Sequence, residues 1–409
     1  MPTKHIAIVA TFDTKREEVF FLESLVKARG YQPVLIDVGP LSPAAAGADF
    51  SNETIADLGG RRLADLIKSG RRDQIMAAMG KGASRALLDL FKKKRLDGVI
   101  GIGGNQGTAM ASMAMQSLPL GFPKLLVSTI ASGNMRPYIG HKDICVMFSV
   151  ADLLGGPNPV SRSILKNAAG ALMGMVAQGE SIPVEPAEKI IALSALGNTE
   201  AAAHRIIHQL REKGLQVITF HASGAGGSAM EELIEAGLFS GIIDLTPHEL
   251  AEEVVGAGAY IPVRPGRLQA AGRTGIPQVV SLGALEYLCF GPRESIPARL
   301  RTRKTYFHNP YNANVKLSRK EMATIGQVMA ERLNAAKGPT VVLVPLQGWS
   351  IYGRLGGPLY DGRGNLALLA GLKSRMNPDI DYKEIDLHIN DQLFADACVE
   401  TLLHLLKEN

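Results

Sequence analysis

The chain has 409 residues, 46% of them apolar and 20% charged, which excludes a disordered polypeptide and allows two domains of ordinary size. Its formal charge of +5 is mild and scattered and does not demand nucleic acid, and aromatic residues at 5% are thin for a surface that stacks bases. Three well-separated cysteines without a Cys-x-x-Cys pair argue against a disulfide framework and fit a reducing cytoplasm, and no apolar run approaches the roughly 18 residues of a membrane helix.

In chain order, Ile6–Ala10 is apolar throughout, the pattern of a strand buried on both faces. Thr11-Phe12-Asp13 is a turn. Thr14-Lys15-Arg16-Glu17 has the spacing of a capping box and opens a helix that Gly30 ends. Pro33–Asp37 is the next strand, followed by a Pro/Ala/Gly loop over Gly39–Ala48 and helical segments to about Lys94. Strand Gly98–Ile102, helix Thr108–Gln116, strand Lys124–Ser128 and a fifth strand at Ile144–Phe148 complete a first series. A second series starts at Ile190–Leu193 and repeats the order: turn Gly197-Asn198, helix Thr199–Lys213, Gly214, strand Gln216–Phe220. Later, Ile276–Ser281 echoes Phe122–Val127. Strands alternating with helices imply parallel sheets covered on both faces. The expected fold class is therefore α/β, two Rossmann-like parallel-sheet domains of related design, residues 1–180 and 188–409, joined near Gly179–Ala187. Ligands of such sheets sit at the carboxyl ends of the strands.

One loop there stands out. Gly101-Ile102-Gly103-Gly104-Asn105-Gln106-Gly107-Thr108 leaves a buried strand and opens a helix. Glycines let a backbone approach an anion, and a helix start offers unpaired N–H groups and a positive dipole end. No Lys follows the last glycine, so it is not a P-loop, and the first strand–helix turn lacks the dinucleotide fingerprint. A tight turn that merely needs glycine is the bland alternative. Thr11, Asp13, Thr14 and Lys15 leave the first strand, and Ser128-Thr129-Ile130-Ala131-Ser132-Gly133 leaves the fourth, so both should meet that loop. Lys15 is a candidate point charge for a phosphate, and equally a solvated first-turn lysine.

In the second half, His221-Ala222-Ser223-Gly224-Ala225-Gly226-Gly227-Ser228 is a second candidate anion cradle, opening a helix over Ala229–Ala236. His221, Glu286, His308 and His388 flank apolar strands and are candidate acid/base residues of one small-molecule cleft, against a reading in which each serves a local hydrogen bond. No spacing supports a metal site. His204 and His208 stand four apart but share a solvated helix face with Arg211 and Glu200, and Thr246-Pro247-His248-Glu249 is accounted for as a helix start.

These segments also carry a resemblance. Thr-Phe-Asp-Thr-Lys at 11–15, Gly-Gly-Asn-Gln-Gly-Thr at 103–108, Val-Ser-Thr-Ile-Ala-Ser-Gly at 127–133, Pro137-Tyr138-Ile139-Gly140, His221–Glu231, Ser281–Leu285, Phe290-Gly291-Pro292 and His388–Asp391 occur in order along nearly the whole chain. Together they resemble the family of bacterial proteins similar to the N-terminal ATP-binding region of the plant tobamovirus-resistance protein. The resemblance implies a two-domain protein that binds ATP with Mg2+ in its first domain and forms a homodimer or higher homo-oligomer. It implies nucleotide contacts from Gly103, Gly104, Asn105, Gln106, Gly107 and Thr108 and from the Asp13/Thr14 turn; position adds Lys15, Thr129, Ser132 and Gly133.

The expectation is a cytoplasmic ATP-binding protein, acting on a small metabolite if it is an enzyme, with neither nucleic acid nor membrane as partner. The alternative is a non-catalytic, ATP-responsive regulatory or binding module. A sugar or lipid kinase would carry Gly-Gly-Asp-Gly-Thr; the missing Asp argues against it.

Overall fold

The apolar runs become the inner strands of two parallel sheets. The computed structural model describes residues 3–41, 47–183 and 189–408. The middle of the expected Gly39–Ala48 loop and residues 184–187 of the expected Gly179–Ala187 junction lie outside the described residues. The chain divides into two compact units, Met1–Ile182 and Pro183–Asn409.

In the first unit, β1 (His5–Ala10), β2 (Gln32–Asp37), β3 (Gly98–Gly103), β4 (Lys124–Ser128) and β5 (Cys145–Phe148) form one sheet in the order β2-β1-β3-β4-β5. All its pairings are parallel. Alternation along each strand feeds two cores. Ala7 and Val9 pack with Leu87, Met110 and Met115 on one face, and Ile6, Ile8 and Ala10 pack with Val19, Leu22, Leu165 and Leu172 on the other. The winding reverses between β1 and β3, so the two strands' following chains depart to opposite faces and leave a crevice at their carboxyl ends.

The second unit holds β6 (Ile190–Ala195), β7 (Gln216–His221), β8 (Gly241–Asp244), β9 (Gln278–Val280), β10 (Tyr287–Phe290), β11 (Thr305–Asn309), β12 (Asn312–Lys316), β13 (Thr340–Pro345) and β14 (Asp381–Ile385). Its parallel sheet runs β14-β13-β9-β8-β6-β7. Counted from β7, the winding is that of the first sheet with one strand added. A small antiparallel sheet, β10-β12-β11, is inserted between β9 and β13; the alternation of strands and helices had not announced it.

Each unit ties an early segment to its last helix. Lys4 donates to the carbonyl of Val176, near the end of the first unit's last helix. Arg205 pairs with Asp396 at 2.8 Å across 191 positions, joining helix Glu200–Glu212 to helix Gln392–Glu408.

Three local expectations change. The helix expected from Thr108 begins at Asn105, so only Gly104 remains as loop. The helix expected from Ala229 begins at Ala225. The Thr14/Glu17 capping box does not form: Lys15 has non-helical φ/ψ of −129°/20°, and the Thr14 hydroxyl pairs with that of Thr11 at 2.9 Å. Phe12–Thr14 is thus a separate turn ahead of a kink. Among the described residues no helix is long and apolar enough to cross a membrane.

Candidate functional site

At the carboxyl edge of the first sheet, Gly104 is the N-cap of helix Asn105–Gln116, and no side chain caps that helix. A Cβ added at Gly104 would meet nothing nearer than the Thr129 hydroxyl at 3.6 Å, and one at Gly107 would stand 3.8 Å from the Thr11 hydroxyl. Thr129 thus flanks Gly104 and Thr11 flanks Gly107 on the first turns of this helix, with Thr14 joined through the Thr11 hydroxyl. Asn105 is exposed and Gln106 half-buried beside it. Lys15 is buried at the kink and has no ion-pair partner among the described residues.

Other expected contacts are already engaged. Thr108 is fully buried, and its hydroxyl pairs with Ser128 at 2.7 Å and donates to the Gly103 carbonyl at 3.3 Å. It staples the loop to β4 instead of facing a ligand. Gly103 is packed against the same helix turn, where a Cβ would lie 2.6 Å from the Thr108 nitrogen. Asp13 accepts from the Leu41 N–H at 2.8 Å, fastening the chain beyond β2. Ser132 and Gly133 lie exposed in the turn after β4, where the Gly133 N–H donates to Ile130 at 3.0 Å.

Sequence reasoning passed over Asp37, the last residue of β2. One of its oxygens accepts from the N–H groups of Phe12 at 3.0 Å and Gly39 at 2.8 Å; the other is buried without a partner. Burial pushes its pKa up to about 6, against the pull of those two N–H groups. The available signal was an acid closing an apolar strand at the ligand edge.

In the second unit the structure joins three of the four candidate acid/base residues around Ser350–Tyr352. The Ser350 hydroxyl donates to Glu286, the His388 Nε2 lies 3.1 Å from the Ser350 carbonyl, and the His308 Nδ1 lies 3.2 Å from the Tyr352 hydroxyl. His308 is exposed and His388 half-buried, whereas Glu286 is fully enclosed, which raises its pKa. Its second oxygen has no partner, and neither has the buried Lys316 ammonium, whose pKa burial lowers. His221 stands apart. It lines a cleft of about 500 Å³ with Gly197, Glu200, His204 and Ile207.

The second glycine loop is occupied from within. Glu249 accepts from the N–H groups of Gly224 at 2.8 Å and Gly227 at 2.9 Å, and a Cβ at Gly227 would stand 2.1 Å from its carboxylate. Glu249 belongs to a buried group centred on Arg267, which also binds Asp244 at 2.8 Å and Glu231 at 3.2 Å. This loop therefore offers no cradle to an external anion.

His248, read from sequence as part of a helix start, is fully buried and faces Glu252 and Cys289.

Family models described as the N-terminal and C-terminal domains of an uncharacterised protein family, UPF0261, match residues 4–181 and 188–406. A UPF0261 protein of Clostridium tetani (strain Massachusetts / E88) is 38% identical over 406 residues, 99% of this chain and 100% of its own. Another, of Rhizobium meliloti (strain 1021), is 38% identical over 400 residues, 97% of this chain and 98% of its own. The ToMV resistance protein Tm-1(GCR237) of Solanum lycopersicum is 33% identical over 340 residues, 82% of this chain and 45% of that protein.

Proposed function

The chain belongs to the UPF0261 family, and on that premise we propose that its first unit binds a nucleotide by the phosphates, ATP with Mg2+ being the ligand that the sequence resemblance implies. The observation that carries this reading is the opening at Gly104: a 12-residue helix with an uncapped start, beside an unfilled glycine, at the point where the sheet reverses its winding.

The residues present fit such a group. The first N–H groups of the Asn105 helix would hold phosphate oxygens, with the hydroxyls of Thr11, Thr14 and Thr129 around them. Lys15 would supply positive charge. Asp13 has one carboxylate oxygen fixed by Leu41 and would turn the other toward a hydrated Mg2+. The unpartnered oxygen of Asp37 suits a donor on the ligand, the part an acid closing a neighbouring strand plays toward ribose in dinucleotide folds.

In the second unit, Glu286, His308 and His388 around Ser350–Tyr352 are the groups that would move a proton in an ATP-dependent reaction on a small metabolite. One observation favours the non-catalytic reading instead: Glu249 fills the cradle in which an anionic substrate would have sat. A homodimer is the assembly the resemblance implies, and the cytoplasm is the place the cysteine usage fits.

Titration calorimetry with Mg2+ and ATP tests the site. We expect saturable binding, lost by at least about tenfold in Gly104→Val, since a branched side chain would stand where the anion sits. A folded Gly104→Val protein, checked by circular dichroism, with unchanged affinity would overturn the placement. Phosphate release under the same conditions separates an enzyme from an effector-binding module, and light scattering reads the assembly.

A further inference from the structure

Helix His248–Val255 carries His248 and Glu252 four positions apart, hence on one face. Strand β10 brings Cys289 to that face, and one ligand atom from each of the three residues lies within 4.8 Å of the others. The cluster is built from behind. The His248 Nδ1 is 2.6 Å from the carbonyl oxygen of Ala284, which can only accept, so Nδ1 carries the hydrogen. Ala284 has a φ of 57°, unusual for a residue with a side chain, and this backbone turn aims that carbonyl at the ring. A neutral ring would then present its Nε2 lone pair to the Glu252 Oε1 at 3.2 Å. Glu252 is itself fixed, accepting from the Cys289 N–H at 2.6 Å and from the Tyr260 N–H. Two acceptors this close, both fully buried, repel unless a cation stands with them: a proton making imidazolium, or a metal ion. A thiol in the same shell favours the metal. Imidazole, carboxylate and thiolate are together the donor set of zinc, and a ligating histidine characteristically donates its other nitrogen to a carbonyl. The rings of Tyr260 and Tyr287, with centroids 5.9 and 5.1 Å from that of His248, wall the cluster.

We infer that His248 Nε2, Glu252 and Cys289 Sγ form a binding site for one divalent ion of the zinc class, with a fourth position left to water or a ligand. This site is independent of the nucleotide reading and lies in the other unit. On binding, the N–Zn and S–Zn bonds form as the His248 imidazolium and the Cys289 thiol each give a proton to solvent, while Glu252 binds as the carboxylate.

Co2+ in place of Zn2+ makes the site visible. Titrating the chelator-treated full-length chain should give one equivalent of an intense thiolate-to-cobalt band in the near ultraviolet, abolished in Cys289→Ser. No band in the wild type, or a band that survives in a folded Cys289→Ser protein, overturns the inference. A second readout needs no variant. Alkylation of Cys289 by iodoacetamide, mapped by mass spectrometry with the exposed Cys145 as reference, should slow about tenfold with one equivalent of Zn2+ and recover with EDTA. Indifference of Cys289 to zinc would equally overturn it.

Discussion

Two glycine-rich loops of this chain look alike in sequence, and each leads from a parallel strand into a helix. They differ in what fills them. At Gly104 the helix start is uncapped and a Cβ would meet only open space bounded by Thr129. At Gly224–Gly227 the N–H groups already hold the carboxylate of Glu249, which is neutralised by the buried Arg267. Glycine composition alone thus signals that something approaches the backbone closely; whether it is a ligand or the protein's own side chain depends on residues far away in sequence. Buried carboxylates divide the same way. Asp244, Glu249 and Glu231 share one guanidinium, whereas Asp37 in the first unit has no cation beside it.

Arg267→Ala breaks the contrast most severely. It leaves three acids buried without their cation, and we expect a loss of about 3–5 kcal/mol in urea unfolding of the full chain, or failure of the second unit to fold. A loss under about 1 kcal/mol would mean those acids are protonated or wet. Gly227→Ala comes next. Its Cβ would collide with Glu249, which is held on two sides, at an expected cost of about 2–3 kcal/mol.

Asp37→Asn should act in the opposite direction. Both N–H donors meet the same oxygen, so the amide keeps them and removes the buried charge. The folded pKa of about 6 lies above the ordinary 3.8, so the wild type loses stability as pH rises through that interval. The variant should therefore gain about 3 kcal/mol at neutral pH and nothing below about pH 4. A gain independent of pH would show that the carboxyl is not the cause. Gly104→Ala is the smallest effect. It should cost under about 1 kcal/mol, because φ is −83° and the space beyond is open. A cost matching that of Gly227→Ala would erase the difference between the loops.

The fold class was legible because a strand buried on both faces must be apolar at every position, as Ile6–Ala10 and Lys124–Ser128 nearly are. The repeated strand–turn–helix–Gly–strand order announced sheets of related winding. The β10–β12 insertion was not legible: Thr305–Asn309 is largely exposed and has no apolar signature. Around the candidate site, the opening at Gly104 could be read from glycine and helix signals, but the enclosure of Thr108 depends on Ser128 at the end of the neighbouring strand. The Arg267 group and the His248–Glu252–Cys289 cluster were hidden for one reason. Glu249 and Glu231 stand 18 and 36 positions from Arg267, and Cys289 stands on a strand whose pairing with the His248 helix no local pattern encodes.

The tie from Lys4 to Val176 bears on how the first unit can be cut and rejoined. In the first unit the residue ahead of β1 touches the end of the last helix, so its two ends are neighbours, and a short linker could join them while a new break is opened in an exposed turn. Circular permutation of this unit should therefore preserve its sheet order, and it has the geometry of a module that can be inserted into a surface loop of another protein.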